Sequence, residues 1–530
     1  MARKWWTLLT VCLGLLMLLV DITIVNVALP SIADDLNASF SDLQWTIDAY
    51  ALSLAALLLV TGSLGDRIGH RNVFAGGLVV FTGASLLCGL APDALFLNLS
   101  RAAQGIGGAA MFASSLALLA QEFTGRERGT AFGVFGATAG ASLSLGPLIG
   151  GALTSGIGWR WVFFVNVPIG AVALLFLLTK VAETHKRQVR ADWLGAAVYS
   201  AALFGIVFGL IRGNPDGWSS AKVVTSLVGG AALLALFVVI ELVREQPMLD
   251  FRLFRRPAFT GVTLAAFAFG ASLFSMFLYI SLYLQNILGY SPFQAGLRVL
   301  PLTLVVLVAA PISGRLTERV PLRLLLATGG TLTAVGLGLM TRVAPDSAWT
   351  VLLPGLVIAG LGSGVFNPPR VSGAVATVPA DKLGVGSSVN NTALQLGLAT
   401  GIASLGAVFE SRVRTVLEGQ LAQAAPQLGP ERHEIVDQAA SGNAAQALRA
   451  LPPDLRAPVA DALRASFVAG FDRILWIGTA VALAGAIISL LLVRQRDLVR
   501  PPEVDGEEAD RAGTGLAPGS DTVPAEIAGT

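Results

Sequence analysis

The chain has 530 residues, of which 54% are apolar and only 13% are Asp, Glu, Lys or Arg, against about 25% charged residues in a typical soluble domain. A soluble protein of this size would need a far larger charged surface, and the high hydrophobicity excludes disorder over most of the length. The net charge of +2 indicates no nucleic-acid partner, so the surplus apolar residues are expected to face lipid.

Apolar stretches of about 20 residues, the length that crosses the hydrocarbon core, follow one another along the chain. They cover residues 6–28, 44–64, 73–91, 94–119, 130–153, 162–180, 193–211, 222–243, 258–282, 293–312, 322–341, 349–368, 384–409 and 470–493. The first follows Arg3 and Lys4 but is too long for a signal peptide and lacks a cleavage site, so we expect it to be retained. The sequence therefore predicts an all-α integral membrane protein with 14 transmembrane helices.

The Lys and Arg residues of the short loops concentrate on one side of this predicted topology. Loops rich in Lys and Arg face the cytoplasm, which places the N-terminus inside. Because the number of spans is even, the C-terminus is expected inside as well.

Two cytoplasmic loops are similar to one another. The loop after span 2 reads GSLGDRIGHR (residues 62–71), and the loop after span 10 reads GRLTER (residues 314–319). Such duplication is common in secondary transporters and predicts six-helix bundles over 1–191 and 258–495 with two inserted helices at 192–257. The outer loop 411–466 carries Val413, Leu417 and Leu421 at helical spacing, which predicts short amphipathic helices. Residues 496–530 have the composition of a disordered cytoplasmic tail.

Several motifs in chain order resemble those of the major facilitator superfamily, in particular its 14-span drug:proton antiporters (the QacA/EmrB-like branch). They are GSLGDRIGHR itself, DITIVNVALP (21–30), RAAQGIGG (101–108), GPLIGG (146–151), WRWVFFVNVPIG (159–170) and NNT (390–392). His70 and Ser142 depart from the usual pattern. The resemblance implies the major facilitator fold, with two bundles that rock about a central cavity, and export of drugs or other amphipathic or cationic molecules against a proton.

Ionisable residues inside spans are rare and costly, so each is a functional candidate. Asp21, Asp48 and Arg101 lie about 14, 8 and 10 Å below the outer surface at ~1.5 Å per residue. A buried carboxylate is charged while paired and tends to protonate when the pairing is broken. We therefore expect Asp21 to be the main protonation site, tuned by Arg101, unless the two form a fixed ion pair that only orients the spans. Asp48 is a second proton site, a recognition site for cations, or a solvated residue near the aqueous mouth.

The residues Gly62, Asp66, Arg67, Gly69 and Arg71 form the expected gating motif at the cytoplasmic end of span 2. Glycines permit close approach of helices, and Asp66 is suited either to cap a helix N-terminus or to pair with an Arg across the two halves. Ordinary anchoring by positive loop residues is the alternative.

The residues Gly146, Pro147, Gly150 and Gly151 in span 5 predict a hinge or proton seal, mainly through the resemblance. A proline inside a helix removes a backbone hydrogen bond and bends the helix, so a static kink is the alternative.

Polar residues elsewhere in the spans are candidates for the substrate cavity or for bonds between helices. They are Asn26, Gln104 and Asn390, with Glu410 at the end of span 13 as either a solvated residue or a recruiter of cations. Arg298 and Arg370 lie near span ends, where snorkelling of the side chain to the membrane surface explains them.

Motifs for other activities are missing from the sequence. There is no GxxxxGK[ST] loop for ATP and no HExxH, CxxC or cluster of His residues for a metal enzyme. We therefore expect no metal and no cofactor, with the proton-motive force as energy source. The predicted protein is a monomer in the cytoplasmic membrane, where lipid, protons and a small-molecule substrate are its partners. A dedicated exporter of one metabolite, antibiotic or lipid is the main alternative, and an integral-membrane enzyme is a remote one.

Overall fold

The computed structural model describes residues 2–38, 40–123, 125–183, 192–244, 247, 249–379, 383–424, 426–428, 432, 435–436, 448 and 451–497, which contain helices and no β-strand. The main helices are α1 (Arg3–Leu36), α2 (Phe40–Ile68), α3 (His70–Gly89), α4 (Ala94–Glu122), α5 (Gly125–Gly156), α6 (Trp161–Phe164), α7 (Asn166–Lys180), α8 (Trp193–Asp216), α9 (Ala221–Val243), α10 (Pro257–Phe269), α11 (Ser275–Leu282), α12 (Pro292–Leu316), α13 (Leu322–Met340), α14 (Leu353–Ala376), α15 (Leu383–Ala424) and α16 (Pro453–Leu492).

The described residues contain 13 helical segments that are long and apolar enough to cross a membrane. These segments match every predicted span except 130–153, which lies within the 32 residues of α5. That helix is rich in Gly, Ala and Ser, which lowers its hydropathy although its length of about 48 Å exceeds the hydrocarbon thickness. The predicted all-α membrane fold is confirmed.

Span 9 is longer and less regular than predicted. It runs from Pro257 to Ile287 and contains two π-helical segments, Gly270–Phe274 and Tyr283–Ile287. Gly270 lies against α15, because a Cβ at this position would approach the Leu398 amide nitrogen to 3.0 Å. π-Helical turns often occur at functional positions of helices.

The prediction of short separate helices in the outer loop 411–466 is wrong for its first part. Val413, Leu417 and Leu421 are buried on α15, which continues without interruption to Ala424. No proline occurs between Leu383 and Ala424, so the drop in hydropathy after residue 409 ends the apolar stretch but not the helix. Near the start of α16, Leu455 packs with Leu417 and Leu421 in a hydrophobic cluster that we call the outer cluster.

Residues 1–498 form one compact unit, and its predicted halves meet chiefly through two pairs of helices. The helix α2 packs against α15, and α5 packs against α12. The inserted helices α8 and α9 pack against each other, and α8 also contacts α2 and α15. We call the end of the bundle that carries the N-terminus the inner end, since the sequence predicts that it faces the cytoplasm. The predicted tail lies outside the described residues from position 498 onward.

The outer cluster gives the first test of the structure. Leu417 is fully buried there, and replacing a buried Leu by Ala typically costs about 2–5 kcal/mol. We expect Leu417→Ala to lower the Tm of the purified protein by several degrees, measured by thermal unfolding in detergent. Thr415→Ala on the exposed face of the same helix is the control. Equal Tm values for Leu417→Ala and the unmodified protein would contradict the burial of this side chain.

Candidate functional site

Asp21 is completely buried in α1 and accepts hydrogen bonds from three side chains on two other helices, α4 and α7. Arg101 of α4 forms an ion pair with its Oδ2 atom. The side-chain amides of Gln104 and Asn166 donate to its Oδ1 atom over 2.8 and 3.2 Å. The structure therefore brings together the two residues that the sequence predicts to interact, and both carboxylate oxygens have partners.

Arg101 is also held by contacts from α2. Its Nε atom donates to the Thr46 carbonyl oxygen over 3.0 Å, and its guanidinium carbon lies 4.3 Å from the centre of the Tyr50 ring. Its Nη1 atom also donates to Gln104 Oε1 over 2.7 Å. A pair this well enclosed is stable while it is charged, but removal of one partner leaves the other as a costly buried charge. In this conformation the pair bonds α1, α2 and α4 together.

Asn166, Ser85 and Tyr50 complete this polar network and are residues that the sequence analysis did not identify as site residues. Asn166 and Gln104 both donate to Ser85 Oγ, over 3.0 and 3.2 Å, and Ser85 donates to the Phe163 carbonyl oxygen over 3.0 Å. Asn166 is a lone amide in an apolar span within the motif WRWVFFVNVPIG, which is a signal that could have identified it. Gln104 bonds helices here, which is one of its two predicted roles.

Asp48 does not belong to this network. It lies on the side of α2 that faces α8, together with Trp45 and Leu52, and it is 9% exposed. On the facing helix α8, Arg212 pairs with Asp216 over 2.6 Å. Asp48 therefore lies against an inserted helix and apart from the pair of Asp21 and Arg101.

Asp66 connects the two halves at the inner end. Its two carboxylate oxygens accept hydrogen bonds from the backbone amides of Gly384 and Val385 over 2.9 and 3.1 Å. Both amides belong to the first turn of α15, where the helix dipole favours a negative charge. His70 lies 2.9 Å from Asp66 through its Nε2 atom.

The glycines of the same motif allow α2 and α15 to meet. A Cβ on Gly62 would collide with the Ser388 side chain and lie 3.0 Å from the Gly384 carbonyl oxygen. Gly69 has a φ of 97° where α2 ends and α3 begins, a conformation that favours glycine. Gly62 therefore permits the close crossing of α2 and α15, and Gly69 permits the turn from α2 to α3.

The two arginines of the motif do not cross between the halves in the described contacts. Arg71 donates from Nη2 to the Leu178 carbonyl oxygen over 2.9 Å at the end of α7, where a cation complements the helix dipole. It also pairs with Glu183 over 3.7 Å. Arg67 is half-buried at the last turn of α2.

The glycines of span 5 place α5 beside the acidic residue of α1. A Cβ on Gly146 would collide with Thr23, and one on Gly150 would lie 2.8 Å from Ile24 Cγ1. Gly151 instead faces α12, where a Cβ on this glycine would lie 3.3 Å from the Phe293 Cβ atom. The helix continues through Pro147, whose side chain lies outside the described residues.

The remaining predicted cavity residues lie in different surroundings. Asn390 is buried and donates to the Val262 carbonyl oxygen over 3.3 Å, so it bonds α15 to α10. Glu410 is half-exposed and pairs with Arg414 one turn further along α15 over 3.2 Å. The side chain of Asn26 lies outside the described residues.

Arg370 contradicts the prediction that it snorkels to the membrane surface. Its side chain is only 4% exposed and lies between α14 and α15, where it donates to Asn390 Oδ1. The predicted span ends at residue 368, but α14 continues to Ala376. Arg370 therefore lies within the helix and not at its end, and the predicted environment is wrong.

Comparisons with known proteins agree with the fold. The model of the Major Facilitator Superfamily matches residues 11–402. The tetracenomycin C resistance and export protein of Streptomyces glaucescens is 34% identical over 97% of this chain and 96% of its own. The multidrug resistance protein Stp of Mycobacterium tuberculosis is 33% identical over 79% of this chain and 78% of its own. The solved structure of the human organic anion transporter MFSD10 superposes with a TM-score of 0.59 at 14% identity, over 92% of this chain and 99% of the other.

The crossing of α2 and α15 generates a prediction. We expect Gly62→Val to force the two helices apart at the inner end, because the added carbons would overlap Ser388 and the α15 backbone. Spin labels on Asn72 and Arg323, which are both exposed, should report a longer distance by double electron–electron resonance, with Cys12 and Cys88 replaced by Ser. Gly76→Val, where a Cβ meets open space, is the control. An unchanged distance distribution in Gly62→Val would argue against a close contact at this position.

Proposed function

The chain belongs to the Major Facilitator Superfamily of membrane transporters, and from this premise we propose that it is a proton-coupled exporter of antibiotics, drugs and other amphipathic or cationic small molecules. It would act as a monomer in the cytoplasmic membrane, with both termini in the cytoplasm and the proton-motive force as its energy source. Relatives named for resistance to tetracenomycin C and puromycin, and for multidrug resistance, support export of such compounds.

The enclosed pair of Asp21 and Arg101 is the observation that carries the proton-coupling proposal. While Asp21 is charged, the network of Gln104, Asn166 and Arg101 holds it. Protonation from the outside would remove the ionic part of these bonds and weaken the attachment of α1 to α4. Proton binding would thereby change the relative stability of two conformations, which is the requirement for coupling.

The contacts at the inner end are the proposed gate. In this conformation Asp66 bonds the first turn of α15, and breaking these bonds would let the halves separate toward the cytoplasm. Alternating access then arises from rocking of the two bundles. One inward proton supplies about 2.3 kcal/mol at 100 mV, enough for roughly 50-fold accumulation of a neutral substrate outside.

Export of a single endogenous compound is the second candidate function. Several relatives are named for one compound each, such as the methylenomycin A resistance protein and the cephamycin export protein CmcT. We expect expression in a pump-deficient bacterial host to raise resistance to several chemically unrelated dyes, cations and antibiotics. Resistance to one compound alone would instead support the dedicated exporter, and unchanged resistance across a panel that includes tetracenomycin C and puromycin would count against both.

The role of Asp21 is tested in proteoliposomes with a compound from that panel. We expect Asp21→Asn to lose uphill transport driven by a pH gradient by about 100-fold or more, since a group with no proton to exchange cannot couple the two fluxes. Downhill exchange of the substrate should persist.

The matched control is Asp34→Asn, an exposed carboxylate on the same helix. Asp21→Glu, which keeps a titratable group, separates loss of the proton site from a failure to fold. Unimpaired gradient-driven transport by Asp21→Asn would refute this assignment.

A further inference from the structure

Arg370 is a fully charged side chain in the interior of the C-terminal half. It lies on α14 and is 4% exposed. Its Nε atom donates to Asn367 Oδ1 over 3.4 Å, and its Nη1 atom donates to Asn390 Oδ1. Both partners are neutral amides, so these bonds orient the guanidinium without balancing its charge.

No carboxylate of the described part of the chain lies within 4 Å of this guanidinium. An arginine cannot lose its proton in a protein, and a buried charge without a counter-charge is costly. Arg101, the other arginine buried within the spans, has Asp21 as its partner. Arg370, by contrast, has no negatively charged partner among the described residues.

The surroundings of Arg370 place it where the two halves meet. Asn367 faces α5 of the other half, because a Cβ on Gly136 would lie 3.5 Å from the Asn367 Cβ atom. Ser387, one turn before Asn391 on α15, donates to the Ala113 carbonyl oxygen of α4 over 3.1 Å.

Two further features favour a polar ligand at this level of the bundle. Asn391 is completely buried, and neither its amide nitrogen nor its amide oxygen has a hydrogen-bond partner among the described residues. The successive prolines 368 and 369 interrupt the backbone bonds of α14 just before Arg370, and Ser313 of α12 donates to the Val365 carbonyl oxygen over 2.7 Å. The protein therefore has an unsatisfied amide one residue after Asn390, and two prolines interrupt the backbone bonds of α14 directly before the uncompensated cation.

We propose that Arg370, oriented by Asn367 and Asn390, binds an anionic group of the exported compound, such as a carboxylate, sulfonate or phenolate. A guanidinium binds a carboxylate through two parallel hydrogen bonds and the other anions through charge-assisted hydrogen bonds. In this conformation the two asparagine oxygens accept from Nε and Nη1, and separation of the halves at the inner end would give the anion access. The inference rests on the proposed export function and names a substrate class that the sequence, which predicts cationic or amphipathic substrates, does not indicate.

The test uses two dyes with the same xanthene frame and different charge. Fluorescein is an anion, and rhodamine 123 is a cation. Binding to the purified full-length protein is measured by fluorescence polarisation, without any ion gradient. We expect Arg370→Gln to weaken fluorescein binding by about 10- to 100-fold, the loss typical of a charge-assisted hydrogen bond, and to change rhodamine 123 binding by less than about twofold.

A second variant separates an anion site from a structural role. Asn390→Asp places a carboxylate beside Arg370, so we expect it to raise the Tm while it weakens fluorescein binding. Arg370→Lys should retain part of the affinity, and Arg323→Gln, an exposed arginine of the same half, should leave both dyes unaffected.

An equal loss of both dyes in Arg370→Gln, unchanged fluorescein binding in Asn390→Asp, or failure of the unmodified protein to bind fluorescein would overturn the proposal. Binding is measured without a gradient and therefore does not depend on proton coupling. If fluorescein binds as expected but transport proves not to be coupled to protons, only the coupling mechanism is contradicted.

Discussion

The high cost of an uncompensated charge in a low-dielectric interior is the constraint on which the arrangement of this bundle depends. Asp21 and Arg101 meet it by pairing, and Gln104 and Asn166 satisfy the remaining carboxylate oxygen. The network bonds α1, α3, α4 and α7, which apolar packing alone would leave free to slide against each other. A single proton on Asp21 would then weaken contacts in several helices at once, so a local chemical event acquires a structural consequence.

The same repeat that duplicates the sequence also duplicates the contact between the halves. The helix α2 crosses α15 at Gly62, and its counterpart α12 crosses α5 at Gly314, where a Cβ would collide with the Gly129 carbonyl group. Both crossings lie at the inner end and depend on glycines of the two related loops. At the first crossing, Asp66 also accepts hydrogen bonds from the N-terminus of the facing helix. The two crossings therefore resemble each other in packing, and Asp66 adds a polar attachment to the first.

The sequence predicts the spans well because 20 apolar residues in a row have few uses other than crossing lipid. Depth along each span also predicts the pairing of Asp21 with Arg101. The environment of Arg370 and the helical course of 411–424 are not predictable in this way, since a hydropathy profile follows lipid exposure and not helix continuity. Asn166 needs the tertiary structure, because only the fold shows that its amide reaches a carboxylate 145 residues away in sequence. The roles assigned to the glycines and to Asp48 remain predictions.

The helix α5 is the element that connects the proposed proton site to the contact between the halves. Gly150 brings it against Ile24, three residues beyond Asp21, while Gly133 brings it to 2.7 Å from the Pro311 Cα atom of α12 when a Cβ is placed there. A shift of α1 after protonation would have to move α5, because so close an approach leaves no space for either helix to yield alone. Since α5 also packs along α12, this movement would be passed to the C-terminal half without any direct contact between that half and Asp21. The close glycine contacts of α5 with α1 and with α12 would therefore transmit the movement in the proposed coupling.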